Sequence, residues 1–301
     1  MEVKILRVAH GCYLELELHK MHVCDANKND PTGTTDLRKR FNADADQRWK
    51  QMQRLTMRVL TSEDLLGVAG SRASSLADDP VQKFQAWALG VMNRIVLGND
   101  GAWTKAYLDE AEARGRSRAT SLLSHAGVDR SLTHGTIASV AISELQGVVG
   151  AVLQQATRVV ATGLIAHQRL RPLAAATAGK MLTVGRTRTR TLVNYAVVRA
   201  FNGASLEAFR TLGVTHVGTI PETTIRPPLI GDAKKKKKSK PKIEMVEVLT
   251  AGDNDVCEEC ETISEEGPYS IDDAQDLIPA HPNCRCAFIP ADDDRYANVR
   301  E

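Results

Sequence analysis

The chain has 301 residues and a mass of 32.8 kDa, with 43% hydrophobic and 25% charged residues, which excludes a disordered polypeptide and allows one large or two smaller cores. Aromatic residues make up only 4%, so the core must be built from Leu, Val, Ile and Ala, a composition that favours helix packing over a β-sandwich. The formal net charge of +2 excludes whole-molecule attraction to a polyanion; such a partner must be met locally.

The first residues, MEVKILRVAHGCYLELELHK, have no uninterrupted apolar run of the secretory kind, which predicts a chain made and kept in the cytosol. Leu14, Leu16 and Leu18 alternate with Glu15, Glu17 and His19, and Val3 to Val8 can pair with them, so residues 1–30 read as a short N-terminal β-hairpin followed by a linker, DANKNDPTGTT. His10, Cys12, His19, His22 and Cys24 fall at no tight ligand spacing and read as scattered polar positions of that hairpin.

From Asp36 the period changes. Leu37, Phe41, Ala45, Trp49, Met52, Leu55 and Val59 recur three or four apart and predict a helix over 36–61. Similar patterns run over Val81 to Leu97, Trp103 to Leu123 and Ile137 to Leu170, with LADDP and LGNDG as breaks. In the last of these Ile137, Ala141, Leu145, Val148, Val152, Ala156 and Val159 form a near-heptad seam, read first as an intrachain core face and second as a subunit contact. Glu144, Gln146, Gln154, Gln155 and Arg158 interrupt it, which argues against a bilayer span.

After Pro172 a further helical run, GRTRTRTLVNYAVVRAFNGASLEAFRTLGV, carries Arg186, Arg188 and Arg190 two apart. They would fan over a wide arc, as a solvated helix start does; contact with an acidic partner is the sharper reading. Past Gly213, VTHVGTIP and IEMVEVLTAGD read as short strands. The expected fold is therefore mainly α: an elongated helical body (36–212), a small C-terminal α/β module (213–301) carrying a Cys/His cluster, and the N-terminal β-hairpin. A Lys-rich loop, 233–242, interrupts the module. Its residues Lys234, Lys235, Lys236, Lys237, Lys238, Lys240 and Lys242 repel one another and read as a solvated loop; the sharper reading is non-specific contact with DNA phosphates.

The Cys/His cluster is the strongest chemical signal. Cys257-x2-Cys260 is followed, after a gap of twenty residues, by His281-x2-Cys284-x-Cys286. Two thiolates in a tight turn converge on one ion, and zinc takes four N or S ligands at about 2.0–2.3 Å. Pro282 fixes the approach of His281, and Cys286 can replace it, so five donors compete for four places. A structural zinc site suits reduced thiols in a cytosolic chain; disulfides, or unliganded thiols, are the other two readings. No phosphate-cradling glycine loop, nucleophile elbow or persuasive carboxylate pair is present in the sequence.

The stretch VEVLTAGDNDVCEECETI…IPAHPNCRCAFIP resembles the C-terminal module of the Mu F-like family of tailed-phage head-morphogenesis (minor head or minor capsid) proteins. Thr250, Asp253, Val256, Cys257 and Cys260 match one half of that family's double motif, and Pro279, His281, Pro282, Asn283, Cys284, Arg285 and Cys286 match the other. The likeness extends over roughly residues 180–301 and takes in the arginine- and threonine-rich helix. Leu192 stands near where a Glu is common in the family, which weakens any link to the ADP-ribosyltransferase domains sometimes joined to it.

The resemblance implies a non-enzymatic virion component in several copies, bound to portal or major capsid protein in the head near the portal. It passes through the host cytoplasm during assembly, contacts no membrane, and has a role in DNA packaging or ejection. The alternatives are an ADP-ribosyltransferase-like enzyme and a zinc-dependent DNA-binding protein.

Overall fold

The computed structural model describes residues 30–62, 66, 79–98, 101–124, 138–212, 245–250 and 256–290. The N-terminal hairpin, the VTHVGTIP segment and the whole Lys-rich loop lie outside these residues. The protein is mainly helical. In chain order it forms α1 (Thr35–Ser62), α2 (Pro80–Met92) running into a π-turn (Asn93–Leu97), α3 (Ala102–Ser124), α4 (Ala138–Ile165), α5 (Leu170–Leu212), β1 (Met245–Leu249), α6 (Glu258–Glu266), β2 (Tyr269–Ser270), α7 (Ile271–Ala274) and β3 (Ala287–Pro290).

The chain divides into two compact units. One, the helical unit, comprises 37–107 and 137–194; the other, the Cys/His unit, comprises 1–36, 108–136 and 195–301. The boundary read from the sequence at 212/213 is therefore not where compactness changes: the second halves of α3 and α5 group with the C-terminal segment. The reason is packing. The core around β1 and β3 contains Ala119 of α3 and Leu206, Ala208 and Phe209 of α5 together with Val246, Val248, Ile271 and Phe288.

In the helical unit the predicted stripe of α1 is buried at Leu37, Phe41, Ala45, Trp49, Met52 and Val59. Leu55 is half-buried, because four turns of a 3.6-residue helix rotate the seam onto Thr56. The α4 stripe behaves alike: Leu145, Val148, Val152 and Ala156 are core, and the seam passes to Val160 rather than Val159. This places the stripe in the intrachain core. By length and composition Ala141–Ile165 could also cross a bilayer; in this unit Glu144, Gln146, Gln154 and Arg158 line its exposed side.

The expected helix over 137–170 ends sooner, and Pro172 does not break the next one. The break falls at 166–169, where His167 adopts φ 50°. The Gln168 N–H donates to the Gly163 carbonyl (2.9 Å) and the His167 N–H to the Leu164 carbonyl (3.1 Å), the 6→1 and 5→2 pair that closes a helix with a left-handed residue. Pro172 then sits in the first turn of α5, where a missing N–H costs nothing.

Trp49 organises the helical unit. Fully buried, it donates from Nε1 to Thr189 Oγ1 (2.9 Å), and its ring lies on Gly185, where an added Cβ would stand 2.4 Å from the indole. The GRTRTRT stretch thus serves α1 on one side, through Gly185 and Thr189, while Arg186, Arg188 and Arg190 are exposed. Arg186 pairs with Asp46 of α1. Beside this seam Phe41 stacks on Tyr107 (4.6 Å) and meets Trp103 edge-on (5.3 Å), and the Arg48 guanidinium covers Trp103 (4.2 Å).

In the Cys/His unit, the stretch read as a linker is partly a built helix cap. Asp30, Thr32 and Thr34 are buried. The Asp30 carboxylate accepts from Thr32 Oγ1 (2.6 Å) and from the Thr35 N–H at the start of α1 (2.7 Å). Turn-forming residues bond their own backbone and satisfy orphan helix donors, so their composition mimics a linker. Arg114 of α3 adds bonds to the Gly33 carbonyl and to both Asp36 oxygens. Farther along α3, Gly115 lies against α5, where a Cβ would stand 2.2 Å from the Phe201 carbonyl oxygen.

Overpacking a filled core costs about 1–3 kcal/mol, so Gly185→Ala is expected to lower stability by that amount in urea unfolding. Gly179→Ala, on the same helix with nothing within 4 Å of the new methyl, is expected to raise it by about 0.5–1 kcal/mol.

Candidate metal centre

The site is assembled from one helix start and one turn. Cys257 is the N-cap of α6, and its sulfur accepts the Cys260 N–H (3.4 Å), so the Cys-x2-Cys spacing puts both sulfurs at the positive end of a helix. On the other side the Cys284 N–H donates to the His281 carbonyl (3.0 Å), closing a turn over His281-Pro-Asn-Cys284. The turn follows the cis peptide bond between Ile278 and Pro279. Strand β3 begins only at Ala287, so Cys284 and Cys286 precede the strand in which the sequence suggested they share a face. Both are nevertheless buried in one core with Cys260.

These pieces bring all five predicted donors together. Cys257, Cys260 and His281 form one triad with donor atoms within 4.8 Å of one another, and Cys260, Cys284 and Cys286 form a second. Cys260 is common to both. Its sulfur lies 3.3 Å from His281 Nε2 and 3.9 Å from the Cys284 sulfur. Two thiolates on a tetrahedral ion stand about 3.8 Å apart, and a thiolate and an imidazole nitrogen about 3.5 Å, so both edges fit a shared ion. A disulfide needs about 2.05 Å, and the four described cysteines are free.

Electrostatics within the cluster are those of thiols crowded in a dry core. Burial, with the Cys284 charge beside it, pushes the Cys260 thiol up to about 12. Hydrogen bonding from Cys286 brings the Cys284 thiol down to about 5, while the same bond, read from its donor end, and burial hold the Cys286 thiol above the ordinary range. The two shifts run in opposite directions because one hydrogen bond joins the pair. A cation bound there would compensate the burial of thiolate charge.

One residue that the sequence reading did not single out holds the cluster in place. Asn202 of α5, buried, donates from Nδ2 to the Cys286 carbonyl (3.0 Å) and accepts the Phe288 N–H on Oδ1 (3.4 Å). It fastens the backbone on both sides of Ala287 to the helix. The signal for it was present but weak: Asn202 follows the mostly apolar stretch AVVRAF, at a part of α5 where Phe201, Ser205 and Phe209 are also buried. Around the site, the Ser264 hydroxyl donates to the Val248 carbonyl (2.9 Å) and the Tyr269 hydroxyl to the Ile263 carbonyl (2.8 Å), tying α6 to its neighbours.

The antiparallel sheet, in order β2-β1-β3, supplies the floor of this unit, with Val248 opposite Phe288 and Leu249 opposite Ala287. The seven lysines of the Lys-rich loop, like His10, Cys12, His19, His22 and Cys24, lie outside the described residues. Comparisons of the chain with protein-family models, with curated proteins and with solved structures give no match.

Leaving a buried carbonyl and N–H without partners costs about 1–3 kcal/mol per group, so Asn202→Ala is expected to destabilise the Cys/His unit by at least that much. Asn202→Asp should fare no better, because a carboxylate can take the Phe288 N–H but cannot donate to the Cys286 carbonyl. Hydrogen exchange at Phe288, with urea unfolding, checks both.

Proposed function

We propose that the protein is a structural minor head protein of a tailed bacteriophage, with a zinc-stapled C-terminal unit and a role in binding and scaffolding rather than turnover. The observation that carries this reading is the double motif: the residues by which the chain resembles the Mu F-like family, Cys257 and Cys260 in one half and His281, Cys284 and Cys286 in the other, fall into two candidate metal-binding triads that share Cys260. A motif whose two halves meet at a single point behaves as one functional element.

Zinc is the ion of choice. Three thiolates and one imidazole are a donor set that suits it, and a closed four-ligand site of this kind leaves no open position for a reacting water. Cys257, Cys260, His281 and Cys284 would hold it, with Cys286 as the first substitute and, when not a ligand, the hydrogen-bond donor to Cys284. Bound there, the ion would supply folding free energy to a unit whose strands are too short to be stable alone.

In this reading the protein docks on portal or major capsid protein in the head, in several copies per particle, and reaches the head from the host cytoplasm. The Lys-rich loop would make non-specific contact with packaged DNA. Quantitative mass spectrometry of purified particles and of assembly intermediates, with portal as the internal standard, tests the proposal. The protein is expected in both at a few copies per portal ring; its absence from every assembly stage would reject a head role.

A further inference from the structure

The net charge of +2 conceals a sharp segregation. The helical unit carries 18 Lys and Arg against 8 Asp and Glu, a formal +10, whereas the Cys/His unit carries 21 against 29, a formal −8 that already includes the Lys-rich loop. In the helical unit fifteen of the seventeen described Lys and Arg are exposed, so this charge is on the surface.

Its densest part lies where α1 and α5 pack antiparallel, a pairing fixed by Asn42 with Asn194 (3.3 Å), Trp49 with Thr189 (2.9 Å) and Thr56 with Met181 (3.5 Å). Lys50, Arg54 and Arg58 recur every four residues on α1, about 6 Å apart along the axis, and Arg186 and Arg190 do so on α5. Asp46 accepts Lys50 (2.8 Å) and pairs with Arg186, which brings the two rows onto one surface. The unit's other described carboxylates are placed for other work: Asp44 accepts the Tyr107 hydroxyl, Asp79 caps α2, and Glu144 lies on α4.

We infer that the α1/α5 surface of the helical unit binds the phosphate backbone of duplex DNA without reading its sequence. Cations at one-turn spacing neutralise successive phosphates and release their counterions. Base stacking is not part of it, because no described Phe, Tyr or Trp of this unit is exposed. The principal contact is thereby assigned to α1 and α5, and the Lys-rich loop, which belongs to the unit of opposite sign, adds only a minor part. This inference stands apart from the head-protein reading and would hold for any cellular setting.

Fluorescence anisotropy of a mixed-sequence duplex of about 30 base pairs with the full chain, at salt from about 50 to 200 mM, tests it. The variant combining Lys50→Gln, Arg54→Gln, Arg58→Gln and Arg190→Gln, with an unchanged circular dichroism melt, is expected to bind at least about tenfold more weakly and to lose about 3–4 from the log–log salt slope. A second variant with all seven lysines of the loop changed to Gln should keep most of the binding. Equal affinity and slope in the first variant, or loss only in the second, would overturn the assignment. Absence of DNA binding by the wild type, with salt-sensitive self-association in light scattering, would also overturn it and give the surface to the acidic unit of a second copy.

Discussion

Four thiols and an imidazole lie in two triads that share Cys260, and this juxtaposition of the start of α6 with the approach to β3 is the constraint around which the Cys/His unit is built. Its strands have five, two and four residues. Such strands do not stand unaided in water. Cys260, Cys284 and Cys286 take core positions that aliphatic side chains would occupy in a larger domain. A cation held by these thiols would link the start of α6 to the approach of β3 across the chain from Cys257 to Cys284.

The same logic explains why α5 is long. Its first part serves the helical unit through Gly185 and Thr189, and its last part serves the Cys/His unit through Asn202, Leu206 and Phe209. A single 43-residue helix therefore carries two unrelated packing codes, one of small residues that admit an indole, the other of one amide and several large apolar groups. The charge follows the same division. Basic residues collect where α1 and α5 meet, and carboxylates collect on α6 and α7, so a whole-chain net charge describes neither unit.

Helix existence was legible wherever a stripe was long. The α1 pattern predicted 36–61 and the helix covers Thr35–Ser62, because seven apolar residues at helical spacing admit no other buried face. What escaped was local backbone chemistry. The helix read as starting after Pro172 already includes it, because a proline in a first turn is harmless, and the stop before it, at His167, has no glycine to announce it. Asp30, Thr32 and Thr34 looked like linker composition because capping residues and loop residues are the same residues. The five clustered Cys and His residues were legible from spacing, whereas Asn202 showed only as a polar residue in a mostly apolar stretch and its role did not, since its partners are backbone groups 84 and 86 residues away.

X-ray absorption at the zinc edge of the purified full chain tests the central claim most directly, because it reads the atoms around the ion and not merely its presence. Convergence on one ion predicts about one zinc per chain with a first shell of about three sulfurs near 2.3 Å and one nitrogen near 2.0–2.1 Å, and loss of that shell in Cys260→Ser. A chain that retains no zinc, or whose zinc has only light O and N neighbours, would contradict the account.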